Sequence, residues 1–368
     1  MMMQLDTQTF SKFENQIVTV DSHTAGEPTR LVIGGLPPIP GRTINDKRLY
    51  ISEHLDHVRL LLTREPRGHR DMLAAIITEP VSEEADFGLV FMDARRYPYM
   101  CGHGTIGAVT TFLEMGWLAY QEPETAVVVD SPAGPIRARA RVKRADGRPR
   151  VESVAFQMES AFAFLLDQSL EVPELGRLTV DVSFAGGFFV MVAADQIGSK
   201  RSGSLTSENA PQLARWGMAV IEASNRQLRV QHPTRTYINT IDVVEFYDPI
   251  GHPQARGKNF VVYGEGHVDR SPCGTGTCAK MALLHRRGEL AVGQTFVNEG
   301  LLGATFEGRI VEETTVGDPS NPRLRSGQAG SGHCLPAIVP EIRGTAYLTG
   351  LHRFVVTPGD PFPEGFLI

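Results

Sequence analysis

The chain is 368 residues long, with few cysteines, no long apolar run and no concentration of positive charge. Lys and Arg number 36 against 42 Asp and Glu, for a net charge of −6. No basic block interrupts this balance, which excludes nucleic acid or an anionic membrane as the main partner. No stretch approaches the roughly 20 apolar residues a membrane-spanning helix needs. The first ten residues, Met-Met-Met-Gln-Leu-Asp-Thr-Gln-Thr-Phe, lack the charged and apolar regions of a secretory signal, so a cytoplasmic location is expected.

The four cysteines are Cys101, Cys273, Cys278 and Cys334, and no two form a Cys-x-x-Cys pair. That spacing excludes the common zinc motifs, and a chain this long needs no disulfide to fold. Free thiols and no bound metal are therefore expected. Hydrophobic residues at 42% and charged residues at 21% are ordinary for a globular protein, and the length suits two domains.

The distinctive feature is a repeat. Residues 101–105 read Cys-Gly-His-Gly-Thr and residues 273–277 read Cys-Gly-Thr-Gly-Thr, each followed by a helical pattern. Gly116 and Gly288 each lie fifteen residues after their cysteine, and Leu118 and Leu290 seventeen. The glycines at fifteen read as helix C-caps.

Around the repeat the chain reads mostly as strands, including 17–21, 30–33, 74–78, 87–92, 125–130, 136–142, 151–158 and 178–183. The second half adds 239–247, 259–263, 294–298, 304–311, 337–342 and 344–351. Helices are expected from Asn45 to Leu62 and within 209–231, with loose segments at 1–14, before Gly257 and at 316–335. Gly186 and Gly187, inside an aromatic and β-branched run, suggest a bulge or a close backbone approach, and the crossing between halves is placed there. One central helix per half among many strands predicts an α+β chain of two similar lobes. Their expected limits are 1–183, joined by 345–368, and 184–344.

A cysteine at a helix start meets unpaired N–H groups and the positive end of the helix dipole, which predicts a lowered thiol pKa. The glycines let the backbone close on an anion. Two such helix starts facing each other would hold one carboxylate, with a sulfur on each side of the neighbouring carbon. One thiolate then removes a proton from one face while the opposite thiol delivers one to the other. His103 and Asp269 flank the thiols and suit an amino group; their plain alternatives are a helix-start histidine and a turn-capping carboxylate. Asp21, His23 and His69 are read as structural. Neither repeat is a Walker or dinucleotide motif, so no cofactor is expected.

At these residues the sequence resembles the proline racemase family. Met100–Gly107 and Asp269–Thr277 look like its two signature segments. The resemblance extends through Asp21–Pro28, Glu65–His69, Phe184–Phe188, Ile238–Asp242 and Pro361–Leu367. It implies a diaminopimelate-epimerase-like fold, each lobe a curved, mostly antiparallel sheet around its central helix, with the active site in the cleft and a homodimeric assembly. It also implies cofactor-independent inversion of Cα in proline or a hydroxyproline. By position, Cys101 and Cys273 become the acid/base thiols, His103 and Asp269 hold the substrate nitrogen, and the backbone at Gly102, His103, Gly274 and Thr275 receives the carboxylate. Similar 3-hydroxyproline dehydratases carry threonine at the second thiol position, so Cys273 speaks against water elimination, and retention of the whole set speaks against a non-catalytic amino-acid binding protein. Residues 184–190 look more like the racemase branch than the Trp-rich form of many 4-hydroxyproline epimerases. Two pocket walls that are phenylalanine in well-matched racemases are Leu73 and Tyr263 here, the usual Asn of the glycine motif is Gly187, and a usual serine is Cys278. Tyr263 and Leu73 thus bear on the ring substituent.

Overall fold

The computed structural model describes residues 16–198, 205–248, 257–264, 266–317 and 334–368. The expected N-terminal leader, most of the loop at 316–335 and the segment before Gly257 lie outside them. The described chain begins β1 (Gln16–Thr24), β2 (Glu27–Gly34), α1 (Ile44–His54), α2 (Asp56–Thr63), β3 (Leu73–Thr78), β4 (Phe87–Asp93), α3 (Gly102–Glu114), β5 (Glu124–Ser131), β6 (Gly134–Ala145) and β7 (Arg148–Gln157). It continues with β8 (Phe162–Val172), β9 (Gly176–Phe184), β10 (Phe188–Ala193), α4 (Asp195–Gly198), α5 (Ala210–Gln227), β11 (Ile241–Asp248), β12 (Gly257–Tyr263) and β13 (His267–Asp269). It closes with α6 (Gly274–Arg286), β14 (Thr295–Glu299), β15 (Thr305–Gly317), β16 (Cys334–Gly344) and β17 (Ala346–Val355).

Strand pairing makes the two halves copies of each other. In the first, β17, β1, β2, β3, β4, β5, β6 and β7 pair in that order; only β2–β3 and β4–β5 are parallel. In the second, β8, β9, β10, β11, β12, β14, β15 and β16 pair in order, with β10–β11 and β12–β14 parallel. The β7–β16 pair joins them. The register repeats as well: Leu73 lies opposite Asp93 in β3–β4, and Val243 opposite Tyr263 in β11–β12. The fold is the expected α+β arrangement of two lobes.

Each half curls its sheet around one helix. In α3 every residue from Gly104 to Leu113 is buried, and in α6 nearly every residue from Gly274 to Leu283. A helix apolar on all sides belongs inside. Ile106, Val109 and Leu113 of α3 share a core with Ala279, Met281 and Leu283 of α6. The outer sheet faces carry further layers. α1 and α2 pack Ile51, Val58 and Leu62 against β3–β4, and α5 packs Leu213 and Val220 against β8–β12. Glycines close both central helices in the left-handed region, with φ of 73° at Gly116 and 74° at Gly288.

Two expectations change. The single helix expected from Asn45 to Leu62 is two helices broken at Leu55. β9 pairs with β8 on one side and, through a hairpin, with β10 on the other. Gly186 and Gly187 form that hairpin's turn: Gly186 takes φ 74°, and the Ala185 N–H donates to the Gly187 carbonyl at 3.0 Å. Residues 158–161 link β7 to β8, and Ala161 bridges Ile338. The C-terminal segment returns to the first half, with β17 on β1 and Glu65 bridged to Phe366. Among the described residues, no helix is long and apolar enough to cross a membrane.

Candidate active site

Cys101 and Cys273 are the N-cap residues of α3 and α6. Each sulfur accepts a hydrogen bond from the backbone N–H three residues on, Gly104 at 3.4 Å and Gly276 at 3.3 Å. These two glycines are tightly packed. A Cβ on Gly104 would lie 2.8 Å from Leu73 Cδ2, and one on Gly276 would lie 2.6 Å from Glu245 Oε2. The first glycines of the helices face each other: a Cβ built on either Gly102 or Gly274 lies 3.8 Å from the Cα of the other. The caps differ in backbone, Cys101 being extended at φ −144° and Cys273 left-handed at φ 57°.

The second thiol is held by a local chain of bonds. Asp269 Oδ1 accepts from the Ser271 N–H at 2.8 Å and from its hydroxyl at 2.7 Å. Ser271 Oγ then accepts the Cys273 N–H at 3.1 Å. At the first thiol, His103 Nδ1 lies 3.3 Å from Cys101 Sγ, and the Pro28 carbonyl accepts from the same ring. Burial lowers the His103 pKa, with Asp269 opposing, so the imidazole is neutral.

A cavity of about 160 Å³ lies over the two helix starts. Cys101, Gly102, His103, Asp269, Cys273, Gly274 and Thr275 all line it, and so do Leu73 and Tyr263. All nine residues singled out in the sequence are thus brought together. The volume suits a small ring, since a cavity of roughly 150 Å³ holds benzene. Asp21, His23 and His69 lie elsewhere: Asp21 pairs with Arg30 at 2.9 Å, and the two histidines accept backbone N–H groups in turns. Cys278 is buried in α6 and does not line the cavity. All four cysteines are free. Among the described residues, no group of three metal-binding side chains is placed to hold an ion.

The expected lowering of the thiol pKa values is not what the site produces. Both are raised. Burial is the largest cause at each, and carboxylates add to it: Asp269 at Cys273, and Asp269, Glu27 and Asp93 at Cys101. The Gly104 and Gly276 N–H bonds oppose the shift without reversing it. A helix start lowers a thiol pKa only where burial and charges from distant segments do not outweigh it.

Several contributors were not singled out in the sequence. Arg70, Asp71, Asp93, Arg96 and His267 also line the cavity. Buried Glu27, from the β1–β2 turn, accepts the Arg270 N–H at 2.9 Å across the two halves. The Arg270 guanidinium lies 3.4 Å from Glu27 and donates to Asp71 at 3.1 Å. Burial, then Asp269, raises the Glu27 pKa well above the carboxylate range.

A family model described as proline racemase matches residues 19–367. A proline racemase of Clostridioides difficile is 43% identical over 97% of this chain and 99% of its own length. A 4-hydroxyproline 2-epimerase of Streptosporangium roseum is 38% identical over 95% of this chain and 97% of its own. A crystal structure of a hydroxyproline epimerase from Agrobacterium vitis, with trans-4-hydroxy-L-proline bound, superposes at a TM-score of 0.79. It is 28% identical and covers 96% of both chains.

Proposed function

The chain belongs to the proline racemase family, and on that premise we propose that it inverts Cα of proline or a hydroxyproline by passing protons between Cys101 and Cys273. The observation that carries this reading is the pair of thiols capping two helices whose first glycines meet beneath one cavity. The reaction needs no cofactor in this scheme. The substrate carboxylate accepts from the backbone N–H groups of Gly102, His103, Gly274 and Thr275, at the positive ends of both helices. Its ammonium lies between Asp269 and the neutral His103. The α-carbon then has a sulfur on each face.

Raised thiol pKa values fit this order of events. Before substrate enters, burial, with the carboxylates around the cavity adding to it, keeps the thiols protonated. A bound ammonium offsets the charge of Asp269, the carboxylate that opposes thiolate at both sulfurs. As substrate binds, one thiol gives its proton to solvent and becomes the thiolate base, while the other keeps its proton and serves as the acid. Removing the α-proton leaves negative charge on the carboxylate oxygens, which the preorganised N–H groups stabilise in a site closed to water. Asp269 and His103 hold the nitrogen while the ring passes from one thiol's reach to the other's.

Leu73 and Tyr263 set the ring substituent in this proposal. Leu73 leaves room that a phenylalanine would fill, and the Tyr263 hydroxyl offers a hydrogen bond to a ring hydroxyl. The two lobes, divided at residues 158–161, close on the ligand, and the working form is a cytoplasmic homodimer; sedimentation tests the dimer. The proposal is tested by polarimetry on L-proline and trans-4-hydroxy-L-proline. Optical rotation decays with at least one if it is right and stays constant with both if it is wrong.

A further inference from the structure

The two thiols have unlike surroundings one layer further in. Glu245 of β11 is 0% exposed, and neither carboxylate oxygen has a partner at good hydrogen-bond geometry. Asn259 lies alongside and favours the ionised carboxylate, while one of its amide N–H groups bonds the Pro272 carbonyl at 2.7 Å. Glu245 Oε2 occupies the space where a Cβ of Gly276 would be, 2.6 Å away. Gly276 is the residue whose N–H bonds Cys273 Sγ. Lys280, one turn further along α6, is 8% exposed and lies 2.9 Å from the centroid of the Tyr247 ring. An acid and a base are thus enclosed behind Cys273.

The first half has no such pair. The register that aligns Leu73 with Val243 and Asp93 with Tyr263 aligns Ala75 with Glu245. The helix repeat aligns Ala108 with Lys280, each seven residues after its cysteine. Both alanines are fully buried, and it is Leu73 and Phe91 that crowd the Cβ position of Gly104. An isolated buried charge is costly, so an acid and a base enclosed on one side alone are not explained by packing.

We infer that Glu245 and Lys280 are positioning residues that act through the Gly276 end of α6 to set the charge facing Cys273, so that the second thiol answers to a proton the first does not. The inference rests on the two-thiol reading above. Lys280 and Asp269 are the charges that act on Glu245, the first favouring its ionised form and the second opposing it. Lys280 in turn faces Glu245, Asp181 of β9 and Glu289, with Arg287 repelling it. Burial raises Glu245 to about 8 and lowers Lys280 to about 8. Below that pH the carboxyl is neutral; above it the anion opposes thiolate at Cys273. Lys280 acts on the thiol through Glu245, so its removal leaves the acid neutral and has the same sign as removing the acid.

The test is alkylation of each cysteine by iodoacetamide across pH 6.5–10, read by peptide mass spectrometry without substrate; it is independent of whether proline is the substrate. In Glu245→Gln, Cys273 is expected to react about threefold or more faster than in the wild type at pH 9 and within about twofold at pH 6.5, with Cys101 within about twofold throughout. Lys280→Met is expected to speed Cys273 in the same direction. Equal changes at both cysteines, no change at either, or slowing of Cys273 in Lys280→Met would overturn the inference. So would failure of both variants to fold, which would make the pair purely structural.

Discussion

Gly102 and Gly274 meet at the floor of the cavity, a Cβ on either lying 3.8 Å from the Cα of the other. They are the first residues of α3 and α6, so the contact brings two sets of unpaired helix N–H groups onto one point. Cys101 and Cys273 stand immediately outside it.

Replacing either thiol removes one half of the proton exchange. Cys101→Ser and Cys273→Ser are each expected to lower the racemisation rate by roughly 10²–10⁴-fold, the usual scale of general acid–base catalysis. Calorimetric binding of substrate is expected to change little, because the carboxylate and ammonium contacts lie on other groups. Loss of binding in parallel with activity would argue for a structural role.

Asp269→Asn removes the anion proposed to hold the ammonium. The expected loss in kcat/KM is about 10–100-fold, from a charged hydrogen bond contributing ~1.5–3 kcal/mol. The same change takes away a carboxylate that raises both thiols. Alkylation of Cys101 and Cys273 in the free enzyme is therefore expected to speed up at pH 8 while turnover falls and buried Cys278 stays unreactive, whereas general misfolding would expose Cys278 as well.

Glu245 gives a stability signature with a definite sign. Its folded pKa, about 8, lies above the ordinary 4.5, so the folded state holds a proton that the unfolded state has released. Its contribution is complete below about pH 4.5 and is lost as pH rises towards 8. Glu245→Gln carries no such proton. The stability of the variant relative to the wild type, from urea denaturation, is expected to rise between pH 5 and pH 8. A pH-independent difference would contradict this.

Gly276→Ala tests the packing of the second helix start. The added methyl would meet Glu245 Oε2 at 2.6 Å and Cys273 Cβ at 3.1 Å. Overpacking of this kind costs about 1–3 kcal/mol. A fall in Tm is expected, whereas Gly116→Ala, with nothing within 4 Å of its Cβ, loses only what its φ of 73° imposes.

Tyr263→Phe keeps the ring and removes the hydroxyl. The ratio of kcat/KM for trans-4-hydroxy-L-proline over L-proline is expected to fall about 2–10-fold, the range of a neutral hydrogen bond. An unchanged ratio would separate Tyr263 from substituent recognition.

What could be read from the sequence was local. Cys-Gly-x-Gly-Thr marks a helix start because capping and close backbone approach depend on adjacent residues, and the repeat itself announced two similar halves. Leu73 and Tyr263 came from resemblance alone. Interactions spanning the chain were not legible: Glu27 and Arg270 are 243 residues apart, and neither has a local pattern that predicts the bond. Glu245 lies in a strand segment that was correctly expected, yet a carboxylate there reads as a solvent-facing residue until the position of α6 is known. The sign of the thiol shift failed for the same reason, since the burial that raises both thiols, and the carboxylates that add to it from the β1–β2 turn, the end of β4 and the end of β13, exist only in the folded chain.

The most direct measurement of the central claim is isotope incorporation during the first few per cent of turnover in deuterated water, starting from the L substrate. With two thiols on opposite faces, the product carries α-deuterium while the remaining L substrate keeps its hydrogen, because the proton removed by one thiol is not the one the other delivers. Deuterium appearing equally in unreacted substrate and product would contradict the two-thiol account and point to a single base serving both faces.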